Sequence, residues 1–199
     1  MKIIFLDRDG VINRYPGRKK YVTKLREFHF LPGSLEAIKK LSQAKFNIFV
    51  ISNQAGVNKG IFTKNKLQHI TKNMLEKIRL GKGRIRSVLY CIHQEADNCS
   101  CRKPKLGLIE KALRILGNKK ITKKNAFFVG DSILDMATGK NAGCSTMLVL
   151  SGKERQHNKR NWKVKPDYIV KDLLTASKII LNENFDYPCL SRSRTQTRC

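Results

Sequence analysis

Asp7 and Asp9 stand two residues apart at the end of an unbroken apolar run, Ile3-Ile4-Phe5-Leu6, and Gly10 follows them. A run without polar breaks reads as a strand buried on both faces, which puts Asp7 at its carboxyl end, where open α/β sheets bind ligands. One carboxylate there can attack a substrate while its neighbour handles the proton, and Gly10 lets the backbone turn sharply. Asp-x-Asp-Gly also opens calcium loops. Such a loop needs more oxygen ligands and a late Glu, and Val11, Ile12, Asn13 and Arg14 follow instead.

Chemistry of the same kind recurs at two further strand ends. Phe46 to Ile51 runs into Ser52-Asn53-Gln54, and Ala126 to Gly130 delivers Asp131, with Asp135 one helical turn later. In a parallel sheet such ends are neighbours. Carboxylates gathered there repel one another unless a hard cation lies between them, and a few oxygens with retained waters suit Mg²⁺. Arg102-Lys103-Pro104-Lys105 supplies cations that would balance a phosphoryl group. Taken alone, Gly130-Asp131-Ser132 is an ordinary turn into a helix. A second cluster has softer ligands: Cys91, His93, Cys99 and Cys101 offer three sulfurs and an imidazole with no open position, the composition of a closed structural Zn²⁺ site. Cys144, Cys189 and Cys199 are scattered, so the six cysteines fit a metal site in a reducing compartment better than a disulfide framework.

The elements that must position these residues follow from periodicity. Residues 14 to 30 read as a loop and short hairpin. Ser34 is the expected N-cap of a helix with Leu35, Ile38 and Leu41 on its apolar face, and Thr63 caps another running to about Arg79. Strands are expected at 87–91, 126–130, 146–150 and 168–170, with helices over 106–116 and 133–141 between them. Strands alternating with helices predict an α/β fold with a parallel sheet and right-handed crossovers. The 199-residue length suits one domain, expected over residues 1–181, followed by a loosely held basic tail over 182–199.

Lys and Arg number 41 against 15 Asp and Glu, a formal charge of +26. That surface attracts polyanions. The basic residues are nevertheless dispersed, rich in Lys, and lack the interleaved aromatics of a base-stacking platform, so a compositional bias of the genome accounts for them better than a nucleic-acid role. The loop from Arg14 to Arg26 is a local exception. Arg14, Arg18, Lys19, Lys20 and Lys24 stand there without an acid among them, a funnel for anionic substrates if it borders Asp7. No apolar run approaches the roughly 20 residues of a membrane span, and the N-terminus lacks a signal-peptide layout, so a soluble, cytoplasmic monomer without membrane contacts is expected.

DRDGVIN at residue 7, ISNQAG at 51, RKPK at 102 and VGDSILD at 129 occur in that order, and with them the chain resembles the haloacid dehalogenase (HAD) superfamily of aspartyl phosphotransferases across residues 3 to 150. The resemblance implies a Rossmann-like three-layer sandwich with a parallel central sheet and an aspartyl-phosphate mechanism. In it Asp7 is the nucleophile, Asp9 the general acid and then base, and Lys103 neutralises the phosphoryl group. Asp7, the Asp9 carbonyl and Asp131 would bind Mg²⁺, supported by Asp135. Ser52, Asn53, Gln54 and Ser132 would line the substrate site. The Cys-x-His loop before Cys-x-Cys-Arg-Lys-Pro is similar to that of the capless branch containing the D-glycero-D-manno-heptose 1,7-bisphosphate 7-phosphatases and the histidinol-phosphate phosphatases. Ile92 departs from the usual Pro of that branch, the 93–99 loop is short for a heptose enzyme, and Ser132 stands where Lys is frequent. A sugar bisphosphate is the expected substrate, with Arg102, Arg14, Arg18 and Lys19 on its second phosphate. Histidinol phosphate, a phosphorylated nucleic-acid end, and a non-catalytic zinc-stabilised nucleic-acid module are the alternatives. The last leaves the Asp7/Asp9 pair without a purpose.

Overall fold

The computed structural model describes residues 1–18, 20–118 and 120–183. Its frame is a parallel sheet of β1 (Ile3–Leu6), β2 (Asn47–Asn53), β3 (Ser87–Cys91), β4 (Ala126–Gly130), β5 (Ser145–Val149) and β6 (Tyr168–Val170), in the order β3-β2-β1-β4-β5-β6. The helices are α1 (Ser34–Gln43), α2 (Lys64–Leu80), α3 (Gly107–Ile115), α4 (Ile133–Asn141) and α5 (Leu173–Glu183). β1 is central, and the alternation of its side chains explains the three layers. Ile4 and Leu6 join the core formed with α1, α2 and α5, whereas Ile3 and Phe5 join the core under α3. All four are fully buried, as an apolar run without polar breaks requires.

Some local expectations are corrected. Gly33, not Ser34, caps α1, with a left-handed φ of 74°, and Ser34 lies buried in the first turn. A Cβ at Gly33 would come within 2.9 Å of Leu174, so close packing of α5 as well as the turn selects glycine there. The hairpin expected in 14–30 is absent: the described residues form isolated bridges from Asn13 to Asp9 and Phe30, plus a 3₁₀ turn at Leu25–Glu27. Phe28 and Phe30 alternate because they pack edge to face, 5.1 Å apart, and not because they pair across strands. No cap domain interrupts the described chain between β1 and α1.

The expected domain boundary after residue 181 also moves. α5 runs through Glu183, its Leu173, Ala176 and Ile180 buried at helical spacing, so the first two residues assigned to the tail belong to a helix. The rest of the expected tail, with Cys189 and Cys199, and Lys19 lie outside the described residues. No described helix is long and apolar enough to cross a membrane.

Candidate active site

β1 and β4 pair in register, Leu6 opposite Val129, so the chain delivers Asp7 and Asp131 side by side where the strands end. Asp135, in the first turn of α4, completes the group: carboxylate oxygens of Asp7, Asp131 and Asp135 all lie within 4.8 Å of one another. The backbone is cut away to admit them. A Cβ on Gly10, whose φ is 83°, or on Gly152 would stand 2.1 Å from Asp131 Oδ2. The Lys153 amide donates to that same oxygen at 2.8 Å, and Ser151 Oγ donates to the Gly10 carbonyl at 2.7 Å, tying the β5 end to the β1 end.

Lys103 is buried among these acids. Its Nζ lies 3.0 Å from Asp7 Oδ1, an ion pair without hydrogen-bond alignment, and 2.5 Å from Asp135 Oδ1. Burial pushes the Asp7 carboxyl up to about 6, against the pull of Lys103 and with the charges of Asp135 and Asp9 adding to it. Asp131 is raised well above the ordinary carboxylate range by burial and then by Asp7 and Asp135. Burial opposes the Lys103 charge too, but Asp135 and Asp7 outweigh it and hold the ammonium protonated. Three buried carboxylates against one ammonium leave a deficit of positive charge, and an all-oxygen donor set in that state fits a hard divalent cation.

Asp9 is handled differently. Arg8 Nε donates to its Oδ1 at 3.1 Å and Arg8 Nη2 to Oδ1 and Oδ2 at 3.0 Å, while Asn13 Nδ2 reaches Oδ1 at 2.8 Å and Gln54 Nε2 reaches Oδ2 at 2.9 Å. Gln54, expected on substrate, is fully buried and also donates to Ser52 Oγ at 3.3 Å. Ser52 is buried, and its hydroxyl draws the Asp7 carboxyl slightly downward against the effect of burial. Asn53 brackets the backbone of residue 103, accepting from its N–H at 3.1 Å and donating to its carbonyl at 3.4 Å. Ser132 caps α4 and gives its hydroxyl to Asp135 at 2.6 Å. These amides and hydroxyls therefore build the frame around the acids.

On the open side, Arg14 and Lys20 share the wall of a cavity of about 580 Å³ with Tyr15, Pro16, Tyr21 and Ile61. Burial and then the negative charge of Asp131 raise the Tyr15 hydroxyl, with Arg18 acting the other way. Arg8, Asn13, Tyr15 and Gly152 were not singled out from the sequence as site residues. The signal for Gly152 was available: it follows β5 as Gly10 follows β1.

Cys91, at the end of β3, and His93, Cys99 and Cys101 bring their ligand atoms within 4.8 Å of one another. Cys91 Sγ is 3.6 Å from Cys99 Sγ, Cys99 is 3.5 Å from Cys101, and His93 Nδ1 is 3.3 Å from Cys101 and 3.7 Å from Cys91. Those edges are too long for disulfides and close to the ~3.8 Å that tetrahedral Zn–S bonds of about 2.3 Å impose. The cluster is joined to the acids: Asn53 pairs with Cys91 across the sheet, the Gln54 amide donates to the Cys91 carbonyl at 2.7 Å, and Arg102 Nη1 donates to the His93 carbonyl at 3.2 Å.

The HAD-hydrolase-like family model matches residues 100–176. A D-glycero-beta-D-manno-heptose-1,7-bisphosphate 7-phosphatase of Neisseria meningitidis is 35% identical over 92% of this chain and 97% of its own length. The D-glycero-alpha-D-manno-heptose-1,7-bisphosphate 7-phosphatase of Campylobacter jejuni is 32% identical over 78% of this chain and 86% of its own. The crystal structure of D,D-heptose 1,7-bisphosphate phosphatase from B. bronchiseptica, complexed with magnesium and phosphate, superposes with a TM-score of 0.81 at 31% identity, covering 92% of this chain and 99% of that one. With its Asp-rich strand ends set in the same fold, the chain belongs to the haloacid dehalogenase family of phosphatases.

Proposed function

We propose that the chain hydrolyses a phosphate monoester of a sugar bisphosphate, with D-glycero-D-manno-heptose 1,7-bisphosphate as the substrate and its 7-phosphate as the group removed. The observation that carries the reading is the placement of Asp7 beside Asp131, Asp135 and Lys103 where β1 and β4 end. Asp7 attacks phosphorus, the bond to the sugar oxygen breaks, and Asp9 gives that oxygen its proton. Water then attacks the aspartyl-phosphate, Asp9 takes the water's proton, and the Asp7 carboxylate is restored. Lys103 stays charged beside Asp7 throughout, stabilising the negative charge on the transferring oxygens. Asp7, the Asp9 carbonyl and Asp131 would hold Mg²⁺, with Asp135 in support. Mg²⁺ supplies charge neutralisation and orientation of the phosphoryl oxygens. Cys91, His93, Cys99 and Cys101 would hold Zn²⁺ in a structural role, fixing the loop that carries Arg102 and Lys103.

Phosphate release with Mg²⁺, measured across the alpha and beta heptose bisphosphates, histidinol phosphate and an oligonucleotide bearing a 3′-phosphate, tests the assignment. Preference for a heptose bisphosphate supports it. Faster turnover of histidinol phosphate or of the oligonucleotide would overturn the substrate and leave the phosphatase chemistry in place.

A further inference from the structure

Arg8 lies between the two acids in sequence and is completely buried. Burying a guanidinium is costly unless every donor is paired, and an apolar side chain of similar volume would fill the space more stably. Here Nη1 has no hydrogen-bond partner, while Nε and Nη2 fork onto the Asp9 carboxylate. The guanidinium lies 5.7 Å from the centroid of the Tyr90 ring. Thr71 gives its hydroxyl proton to the Leu67 carbonyl at 2.7 Å, which leaves the Tyr90 hydroxyl, 2.9 Å from Thr71 Oγ1, as the donor of that contact. Arg8 is thereby braced against α2 at its back and aimed at Asp9 in front. A group retained at a stability cost, braced from behind and forked onto a candidate acid–base residue, has a purpose at the site.

We propose that Arg8 is the positioning residue for proton transfer: with Asn13 and Gln54 it fixes the Asp9 carboxylate in the orientation from which it takes a proton from the attacking water. Every side chain on Asp9 in this cradle donates, and between them Arg8, Asn13 and Gln54 engage both carboxylate oxygens, which fixes the plane and direction of the group. In the step concerned, water oxygen bonds to phosphorus, its proton passes to Asp9, and the bond from phosphorus to Asp7 breaks with its electron pair returning to that carboxylate. The inference rests on the acid–base reading of Asp9 above. It adds that release of the aspartyl-phosphate, more than its formation, depends on the Arg8 fork.

p-Nitrophenyl phosphate separates the steps, because its leaving group departs without help from an acid. In Arg8→Met, phosphoenzyme should form at close to the wild-type rate and break down about 10²-fold more slowly, the scale of a small misplacement of a catalytic group. Rapid mixing would show a burst of nearly one equivalent of p-nitrophenol per site and then a slow steady state. Arg8→Lys keeps the charge without the fork and should show the same burst; full rescue by Lys would overturn the geometric role. First turnover and steady state slowed alike, or neither slowed, would also overturn it. Should both Arg8 variants lose their circular dichroism signal, Gln54→Met removes a different donor from Asp9 and should give a weaker burst, and its absence there refutes the cradle. Asp9→Asn serves as the reference. If it traps no phosphate on Asp7 from any substrate, the functional reading fails first and this inference with it.

Discussion

Asp7, from the end of β1, meets Asp131 and Asp135 from the distant β4–α4 turn, whereas Cys91, His93, Cys99 and Cys101 come from one strand end and the loop after it. The first group is buried like charge. In a chain with only 15 acidic residues against 41 basic ones, three acids are pressed together at the centre of the fold, and burial holds Asp7 and Asp131 above their ordinary range. The second group is sulfur and imidazole, Cys91 buried and the other three partly exposed, at spacings that suit a tetrahedral ion. One cluster is a load the fold carries, and the other would be a staple that the fold uses. Stability and activity should therefore respond differently to loss of a member from each.

The largest effect is expected at the load. Asp7→Asn should abolish turnover, since an amide cannot form the acyl-phosphate. In metal-free protein the same change removes a buried like charge, so the melting temperature should hold or rise, a gain on the order of 1 kcal/mol corresponding to ~2–4 °C. Calorimetry beside a phosphate-release assay checks both halves, and a marked drop in melting temperature would show that the cluster supports the fold instead.

Gly152→Ala approaches the cluster from outside. The added Cβ would stand 2.1 Å from Asp131 Oδ2, so the carboxylate must move away from Asp7. Activity should fall by about 10²-fold, the scale of an ångström-level misplacement. Excess Mg²⁺ should restore part of it, because the ligand is displaced and not removed. A variant with wild-type rate and Mg²⁺ dependence would remove Asp131 from the metal site.

At the staple, stability and activity should fall together. The purified protein should hold one Zn²⁺ per chain after exhaustive dialysis, measured by elemental analysis. Cys99→Ser should lose that ion, melt lower and raise the KM for substrate several-fold, because the loop holding the Arg102 side chain through His93 would loosen. Lower stability with unaltered KM would break the link between the clusters.

What could be read from sequence divides along the same line. Strand ends and local spacings are short-range patterns, so Asp7, Asp9, Asp131 and the cysteine–histidine set stood out before any fold was known. Gln54, Asn53 and Ser132 were expected on substrate because the family resemblance implies it. Residue type does not say which way an amide points, and the fold aims all three at Asp9, the 103 backbone and Asp135. Arg8 was invisible for the opposite reason: a charged residue at a strand end reads as exposed, and only the packing of Tyr90 and α2 reveals it as buried. The missing hairpin at 14–30 and the boundary of α5 share a cause, because burial in one tertiary core claims both Phe28 and Ile180.

The smallest expected effect lies outside both clusters, on the cavity walled by Arg14 and Lys20. Glu27 shares that wall, and the backbone N–H groups of Thr23 and Lys24, at 2.8 and 3.2 Å, hold its carboxylate ionised, so it offsets part of the positive charge of the two cations and limits the effect of removing them. If the cavity receives the second phosphate of a bisphosphate, Arg14→Ala with Lys20→Ala should raise KM for that substrate by roughly tenfold, about 1.4 kcal/mol, with kcat nearly unchanged, because the contact is made equally in the bound substrate and the transition state. A monophosphate lacks the contact and should bind almost as before. A general effect of surface charge would weaken both substrates alike and fade in high salt. Equal shifts for the two would empty the cavity of its assigned phosphate and turn the substrate reading toward a monophosphate such as histidinol phosphate, while leaving the chemistry at Asp7 untouched.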